Sequence, residues 1–126
     1  MLNEKRRQIG EEDLSFLQPK LQKEGYGAEA LPEMIREYQR YLIMRVLHPD
    51  ELPLYSLPID AVWHAHILFT QKYREFCDKI YGKYLDHRPY PKEEFSARFN
   101  EYFQRTLQLY EEAFGKEAPA IWHKVE

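Results

Sequence analysis

The feature that most constrains the fold is a run of regularly spaced apolar side chains, most of them aromatic, between residues 92 and 114. Because an α-helix turns by about 100° per residue, side chains that recur every three or four residues lie on one helix face. That face comprises Phe95, Phe99, Tyr102, Phe103, Thr106, Tyr110 and Phe114. Gly115 follows directly, in the position where helices commonly end. The spacing therefore predicts a long helix over Lys92–Phe114 whose aromatic face packs against other helices.

Three further segments have helical spacing, with apolar stripes over Glu12–Glu24, Ala28–Leu47 and Ile59–Tyr81. Pro19 lies inside the first segment and predicts either a kink or a later start, because proline is unfavourable in a helix interior. Thr70 can divide the third segment by capping its second half. No segment alternates like a strand, and no hairpin-turn dipeptide is present. The chain is therefore predicted to be all-α, a compact bundle or orthogonal array of four to five helices.

Length and composition predict one domain over residues 1–126. Hydrophobic residues make up 44% of the chain and charged residues 31%, which is ordinary for a folded domain. Ile121 and Trp122 are expected to pack back onto the helices. Residues 1–10, which include the basic cluster Lys5–Arg7, are expected to form a flexible N-terminus.

Charge and hydropathy argue against several classes of protein. The formal net charge of −3 argues against a nucleic-acid partner. The single cysteine, Cys77, cannot form a disulfide within the chain. No apolar stretch approaches the ~20 residues that a membrane helix needs, and the N-terminus lacks the apolar core of a secretory signal. We therefore expect a cytoplasmic protein with no membrane partner.

The chemically suggestive segment runs from Asp60 to His66, on the third predicted helix. Two residues that are two positions apart on a helix point about 200° apart, so His64 and His66 cannot chelate one metal as a simple pair. His66 falls in the apolar stripe together with Trp63. His64 follows Asp60 by one turn, where the carboxylate can accept a hydrogen bond from the ring.

In one interpretation this segment is purely structural. His66 is then a hydrogen-bonded core residue, and Asp60 and His64 form a local pair on the helix. The cluster of Trp63, His64 and His66 would hold the helix to a neighbouring loop. The protein would then be an interaction module that binds a protein partner through an exposed aromatic groove.

In a second interpretation the segment contributes to a metal site. Imidazole, carboxylate and thiolate groups are the ligands of zinc and other late transition metals, and iron also accepts the first two. The candidate ligands, in order of preference, are His64, His87, Asp60, Cys77 and His66, with Trp63 and Tyr73 beside them. Their spacing matches no standard zinc motif. Metal-free chemistry is a third interpretation, through a Cys77–His66 nucleophile pair or an Asp60–His64 acid–base pair.

Several sequence elements occur in order along the chain and point to a family. They are a Trp-His-x-His element at Trp63–His66 within the run Pro58–Thr70, and then Tyr73, Cys77, Gly82, His87 and Pro89. Further matching positions are Tyr102, Thr106, Leu107, Tyr110, Phe114, Gly115, Ile121 and Trp122. Together they resemble the core signature of the glycine-rich domain-containing-protein-like family of bacteria and plants. The resemblance covers about residues 30–122.

The resemblance implies a helical domain without an assigned activity. It favours His64 over His66, because the first histidine of the pair is the steadier one in the family pattern. The later family element often reads His-His-x-Pro, whereas this chain has Asp86 before His87. The chain has only five glycines and therefore lacks a glycine-rich segment.

The leading functional hypothesis is a small helical domain with a polar site of Asp60, His64, Cys77 and His87 that binds a divalent metal. The sequence leaves open whether the protein is an enzyme. If it is one, chemistry of metal-activated water or oxygen is the natural class. The interaction module described above is the alternative.

Overall fold

The computed structural model describes residues 2–49, 52–87 and 92–125, with the side chains of these residues except over 92–98. Its six α-helices are α1 (Leu2–Glu11), α2 (Gln18–Lys23), α3 (Leu31–Leu47), α4 (Leu57–Leu68), α5 (Thr70–Tyr81) and α6 (Lys92–Phe114). Short 3₁₀ turns cover Ser15–Leu17 and Ala120–His123. No strand occurs in the described ranges. The all-α prediction is confirmed, but the predicted count of four to five helices is wrong.

The extra helices come from the N-terminal part of the chain and from a break in the third predicted helix. We expected residues 1–10 to be a flexible end, but those that the structure describes, 2–10, lie in α1, and Ile9 on this helix is fully buried. Helix α1 packs on α3. There the Gln39 amide donates to the carbonyls of Ile9 and Glu12, each at 3.1 Å, and satisfies the last turn of α1.

Pro19 lies in the first turn of α2, where its missing N–H costs little. Of the two outcomes that the sequence allowed, the structure has the later start. A 3₁₀ turn and the short helix α2 therefore replace the continuous helix predicted over Glu12–Glu24.

The third predicted helix is divided at Phe69. This residue has a non-helical backbone (φ −85°, ψ 69°), and its ring packs edge-on against Phe16, with the ring centroids 5.0 Å apart. The division predicted at Thr70 is therefore displaced by one residue: Phe69 is the N-cap of α5, without a side-chain capping hydrogen bond, and Thr70 is the first residue of the helix. Ser56 caps the start of α4 by accepting from the Ile59 N–H, and it also donates to the Ile121 carbonyl.

Helix α3 lies at the centre of the molecule and contacts α1, α4 and α6. It carries a fully buried carboxylate, Glu37, that joins three parts of the chain. Its Oε1 accepts from Tyr110 of α6 and from the indole of Trp122, each at 2.8 Å. Its Oε2 pairs with Arg40 at 2.7 Å. Ile121 and Trp122 are thus buried against the helices, as expected.

Helix α6 begins and ends at the predicted residues. Gly115 follows it with a left-handed backbone (φ 73°), as the sequence predicts. None of the described helices combines the length and the apolar character that a membrane span requires.

Replacement of Glu37 by Gln is expected to destabilise the fold by about 2 to 3 kcal/mol, because hydrogen bonds to a buried charge are strong and Arg40 loses its carboxylate partner. Urea unfolding monitored by circular dichroism measures the change. The matched control is Glu33→Gln, one turn earlier on α3 and exposed to solvent. Equal free energies of unfolding for the two variants would contradict the prediction.

Candidate metal centre

Three of the predicted site residues, Asp60, His64 and His87, meet at one end of α4. One potential ligand atom from each lies within 4.8 Å of the other two. Asp60 Oδ1 is 2.6 Å from His87 Nε2, and Asp60 Oδ2 is 3.1 Å from His64 Nε2. The two imidazole rings are edge to face, with centroids 4.6 Å apart. A single carboxylate therefore lies between two imidazoles, one on each oxygen.

Helix geometry accounts for two of these three residues. Asp60 is in the first turn of α4, and His64 is one turn later on the same face. The His64 side chain is 62% exposed, that of Asp60 26% and that of His87 19%. The cluster thus opens to solvent on the His64 side and is sheltered on the His87 side.

His87 reaches Asp60 from the segment that follows α5. Gly82 ends that helix in the left-handed conformation (φ 71°), which lets the chain turn back toward α4. Leu85 is then buried, and its carbonyl accepts a hydrogen bond of 2.6 Å from the Tyr73 hydroxyl. The same hydroxyl accepts a hydrogen bond of 2.9 Å from the Trp63 indole N–H.

Trp63 also contacts His87 directly. The two rings are stacked, with centroids 4.1 Å apart and planes inclined by 16°. Trp63 is almost completely buried, and its ring packs against Tyr41 of α3. The imidazole of His87 therefore rests on a ring that is itself fixed in the core.

Cys77, a predicted ligand, lies outside this cluster. Its thiol is buried, and burial raises its pKa, although hydrogen bonds from the Leu85 backbone and from Tyr73 oppose the shift. A buried, protonated thiol is a poor nucleophile and a poor ligand. Cys77 instead contacts the segment that carries His87. Asp86, beside His87, is exposed and is not part of the cluster.

His66 is likewise outside the cluster and belongs to the core. Its Nδ1 shares a hydrogen bond of 2.7 Å with the Tyr38 hydroxyl, and its ring packs edge-on against Tyr73. Burial lowers the pKa of His66 from 6.5 to about 4. His66 is therefore not one of the three clustered groups, in agreement with the helix geometry that placed His64 and His66 on different faces.

The sequence analysis placed Asp60 and His87 in one polar site, but it did not predict that their side chains pair directly. The two residues are 27 positions apart, and no helical or strand periodicity connects them. The sequence feature that could have indicated this pairing is the order of aromatic and polar elements from Trp63 to His87. Trp63 and Tyr73 were predicted to lie beside the site, but not to form hydrogen bonds with each other.

The low pKa of His66 makes stability depend on pH. Between pH 6.5 and about 4 the unfolded chain binds a proton at His66 that the folded protein does not bind. The free energy of unfolding therefore falls as the pH falls through this window. The contribution of His66 is on the order of 2 kcal/mol between pH 7 and pH 4.5, since one pKa unit corresponds to about 1.4 kcal/mol.

Urea unfolding of the wild-type protein and of His66→Gln, at both pH values, measures this contribution. Glutamine does not titrate, and its amide oxygen can still accept from the Tyr38 hydroxyl. We expect the wild-type protein to lose more stability than the variant on acidification. Parallel losses in the two proteins would show that His66 does not titrate as inferred.

Comparison with known families corrects the assignment made from the sequence. The model of the UCP032817-like family matches residues 13–116, which include α2 to α6 and the whole cluster of Asp60, His64 and His87. The assignment to the glycine-rich domain-containing-protein-like family is therefore wrong. Short elements such as Trp-His-x-His do not distinguish one helical family from another.

No significant match was found among curated proteins or among solved structures. The family match therefore does not assign an activity to the chain. Because the matched region spans most of the chain, the protein belongs to the UCP032817-like family.

Proposed function

We propose that the protein binds one divalent transition-metal ion through Asp60, His64 and His87. The observation that carries the proposal is the convergence of two imidazole nitrogens and a carboxylate oxygen from two separate segments of the chain. Helix α4 contributes two of these groups, and the segment after α5 contributes the third.

The distances between the three groups suit a metal. In a tetrahedral zinc site with bonds of about 2.0–2.1 Å, neighbouring ligand atoms are roughly 3.3 Å apart. The Asp60 oxygens are 2.6 and 3.1 Å from the two imidazole nitrogens. Small rotations of the side chains would therefore admit an ion between them. Two imidazoles and one carboxylate are a ligand set of zinc and of non-haem iron.

Metal binding requires His87 to give up the hydrogen on its Nε2. A carboxylate only accepts hydrogen bonds, so this nitrogen carries the hydrogen that is donated to Asp60 Oδ1, whereas Nε2 of His64 lies 3.1 Å from Oδ2. An ion bound at Nε2 takes the place of that hydrogen, and the proton moves to Nδ1 or to solvent. The ion would then bind both Nε2 atoms and one of the two Asp60 oxygens that face them.

The three ligands that the described residues supply favour a reactive rather than a structural metal. Structural zinc sites have four protein ligands, whereas catalytic sites have three and leave a position for water or substrate. The exposed His64 side chain leaves this cluster open to solvent. Activation of a bound water or of oxygen is therefore the class of chemistry that we propose for the site.

The structural alternative accounts for only part of the segment. Trp63 and His66 are buried, and their contacts are those of core residues. The mostly exposed His64 pairs with Asp60 as helix spacing predicts, but the structural alternative does not require His87 to join this pair from a separate segment. An interaction module would need an exposed aromatic groove, but the large hydrophobic residues exposed among the described side chains are Leu2, Leu57, Leu68 and Tyr84. A single aromatic residue does not form a groove.

We also propose the cytoplasm as the site of this function. The lone cysteine is buried and unpaired, which suits a compartment that keeps thiols reduced.

Titration calorimetry with Zn²⁺ and with anaerobic Fe²⁺ tests the proposal on protein treated with a chelator and then dialysed. We expect one ion per chain. His87→Ala should lower the affinity at least tenfold, because one of three ligands is lost. The matched control is His123→Ala, which removes an exposed imidazole outside the cluster. A thermal shift should accompany binding, since an ion that binds only the folded state stabilises it.

Two results would overturn the proposal. One is the absence of any binding of Zn²⁺, Fe²⁺, Mn²⁺, Co²⁺ or Cu²⁺ at micromolar concentrations. The other is binding that His87→Ala and His123→Ala weaken equally, which would place the ion elsewhere.

A further inference from the structure

We infer that Tyr73 is a positioning residue for the metal site, which it never touches. Its hydroxyl holds the segment after α5 so that His87 faces Asp60. This inference rests on the proposed metal site. It adds Tyr73, which is not a ligand, to the residues on which the affinity for the ion depends.

Tyr73 joins the two parts of the chain that supply the ligands. It is fully buried on α5. Its hydroxyl accepts from the Trp63 indole on α4 at 2.9 Å and donates to the Leu85 carbonyl at 2.6 Å. His87, two residues after Leu85, then lies on the face of the same Trp63 ring.

The hydroxyl is well suited to this role. Burial raises the pKa of Tyr73 far above its usual value, so the group keeps the hydrogen that it donates to Leu85. A phenol can accept and donate at the same time, and both of its partners are buried. Water therefore cannot readily replace it, and the partners would remain unsatisfied if it were lost.

The sequence order explains why this contact affects one ligand and not the others. Asp60 and His64 are fixed by the helix that carries them. His87 lies outside any helix, and its backbone is held through Leu85. Cys77 adds a weaker contact to the same backbone. Loss of the Tyr73 hydroxyl should therefore loosen His87 and leave Asp60 and His64 in place.

The test is the zinc affinity of Tyr73→Phe, which keeps the ring and removes only the hydroxyl. We expect the dissociation constant for zinc to rise 10- to 100-fold, as for other residues that orient metal ligands. The matched control is Tyr81→Phe. Tyr81 also donates its hydroxyl to a carbonyl, that of Leu42 at 2.7 Å, but this bond is part-buried and the carbonyl is on α3 rather than in the segment of His87. This control should bind zinc like the wild-type protein.

A second measurement reports on His87 without metal. An imidazole stacked on an indole has ring protons shifted upfield in NMR spectra by the ring current. We expect this shift for His87 in the wild-type protein and in Tyr81→Phe, and its loss in Tyr73→Phe. The nuclear Overhauser contacts between the His64 ring and α4 should be the same in all three proteins.

The two measurements separate the possible failures. If the wild-type protein binds no zinc, the proposed function fails, whatever the NMR result. If it binds zinc and Tyr73→Phe binds equally well, the positioning role alone is overturned. Equal losses in Tyr73→Phe and Tyr81→Phe would also overturn it, since they would show a general effect on stability.

Circular dichroism shows first whether Tyr73→Phe is folded. If it is not, Trp63→Phe replaces it, because this variant removes the other hydrogen bond of the Tyr73 hydroxyl and keeps a ring beneath His87. We expect its zinc affinity to fall at least threefold, and an unchanged affinity would overturn the inference.

Discussion

The candidate site depends on one buried chain of hydrogen bonds, from the Trp63 indole through the Tyr73 hydroxyl to the Leu85 carbonyl. Asp60 and His64 meet because they are one turn apart on a helix, and they need no further support. His87 has no such constraint, and a segment outside helices must have its backbone groups satisfied by side chains or water. Here α4 and α5 supply those side chains. The indole that begins the chain of hydrogen bonds is also stacked on His87, so one residue affects both the position and the orientation of the imidazole.

Buried tyrosines connect distant parts of this chain in several places. Tyr41 donates to the Leu52 carbonyl, Tyr73 to that of Leu85, and Tyr81 to that of Leu42. Each ring contributes a large apolar surface to the core. The hydroxyls of Tyr41 and Tyr73 satisfy carbonyls outside the helices, whereas that of Tyr81 gives a carbonyl within α3 a second hydrogen bond. Glu37 has the corresponding role where α6 and the C-terminal turn meet α3. The fold is thus a helical core in which polar atoms of large residues determine how the helices and their connections fit together.

Periodicity predicted helices and contacts within one helix, but it did not predict contacts between distant segments. The bounds of α6 and the Asp60–His64 pair follow from spacing along one helix, whereas the division near Thr70 was predicted from a capping side chain that the structure does not use. Helix α1 was missed because its few apolar residues form no stripe. Its packing on α3 stabilises this helix. Cys77 and His66 have the residue types of metal ligands, but residue type does not tell whether a side chain faces a site or the core. The meeting of Asp60 with His87 depends on the path of the chain after Gly82, which no spacing in the sequence encodes.

The three proposed ligands differ in what it costs to place them. The exposed His64 side chain loses rotational freedom when it binds an ion, a cost on the order of 1 kcal/mol or less. Asp60 is held by both imidazoles, and His87 is already stacked on Trp63 and sheltered from solvent. In a free loop the largest cost would be the loss of conformational entropy when the His87 segment becomes ordered. Here that cost is already met when the protein folds. For that reason the affinity of the proposed site depends more on the buried contacts behind His87 than on the exposed imidazole that faces the solvent.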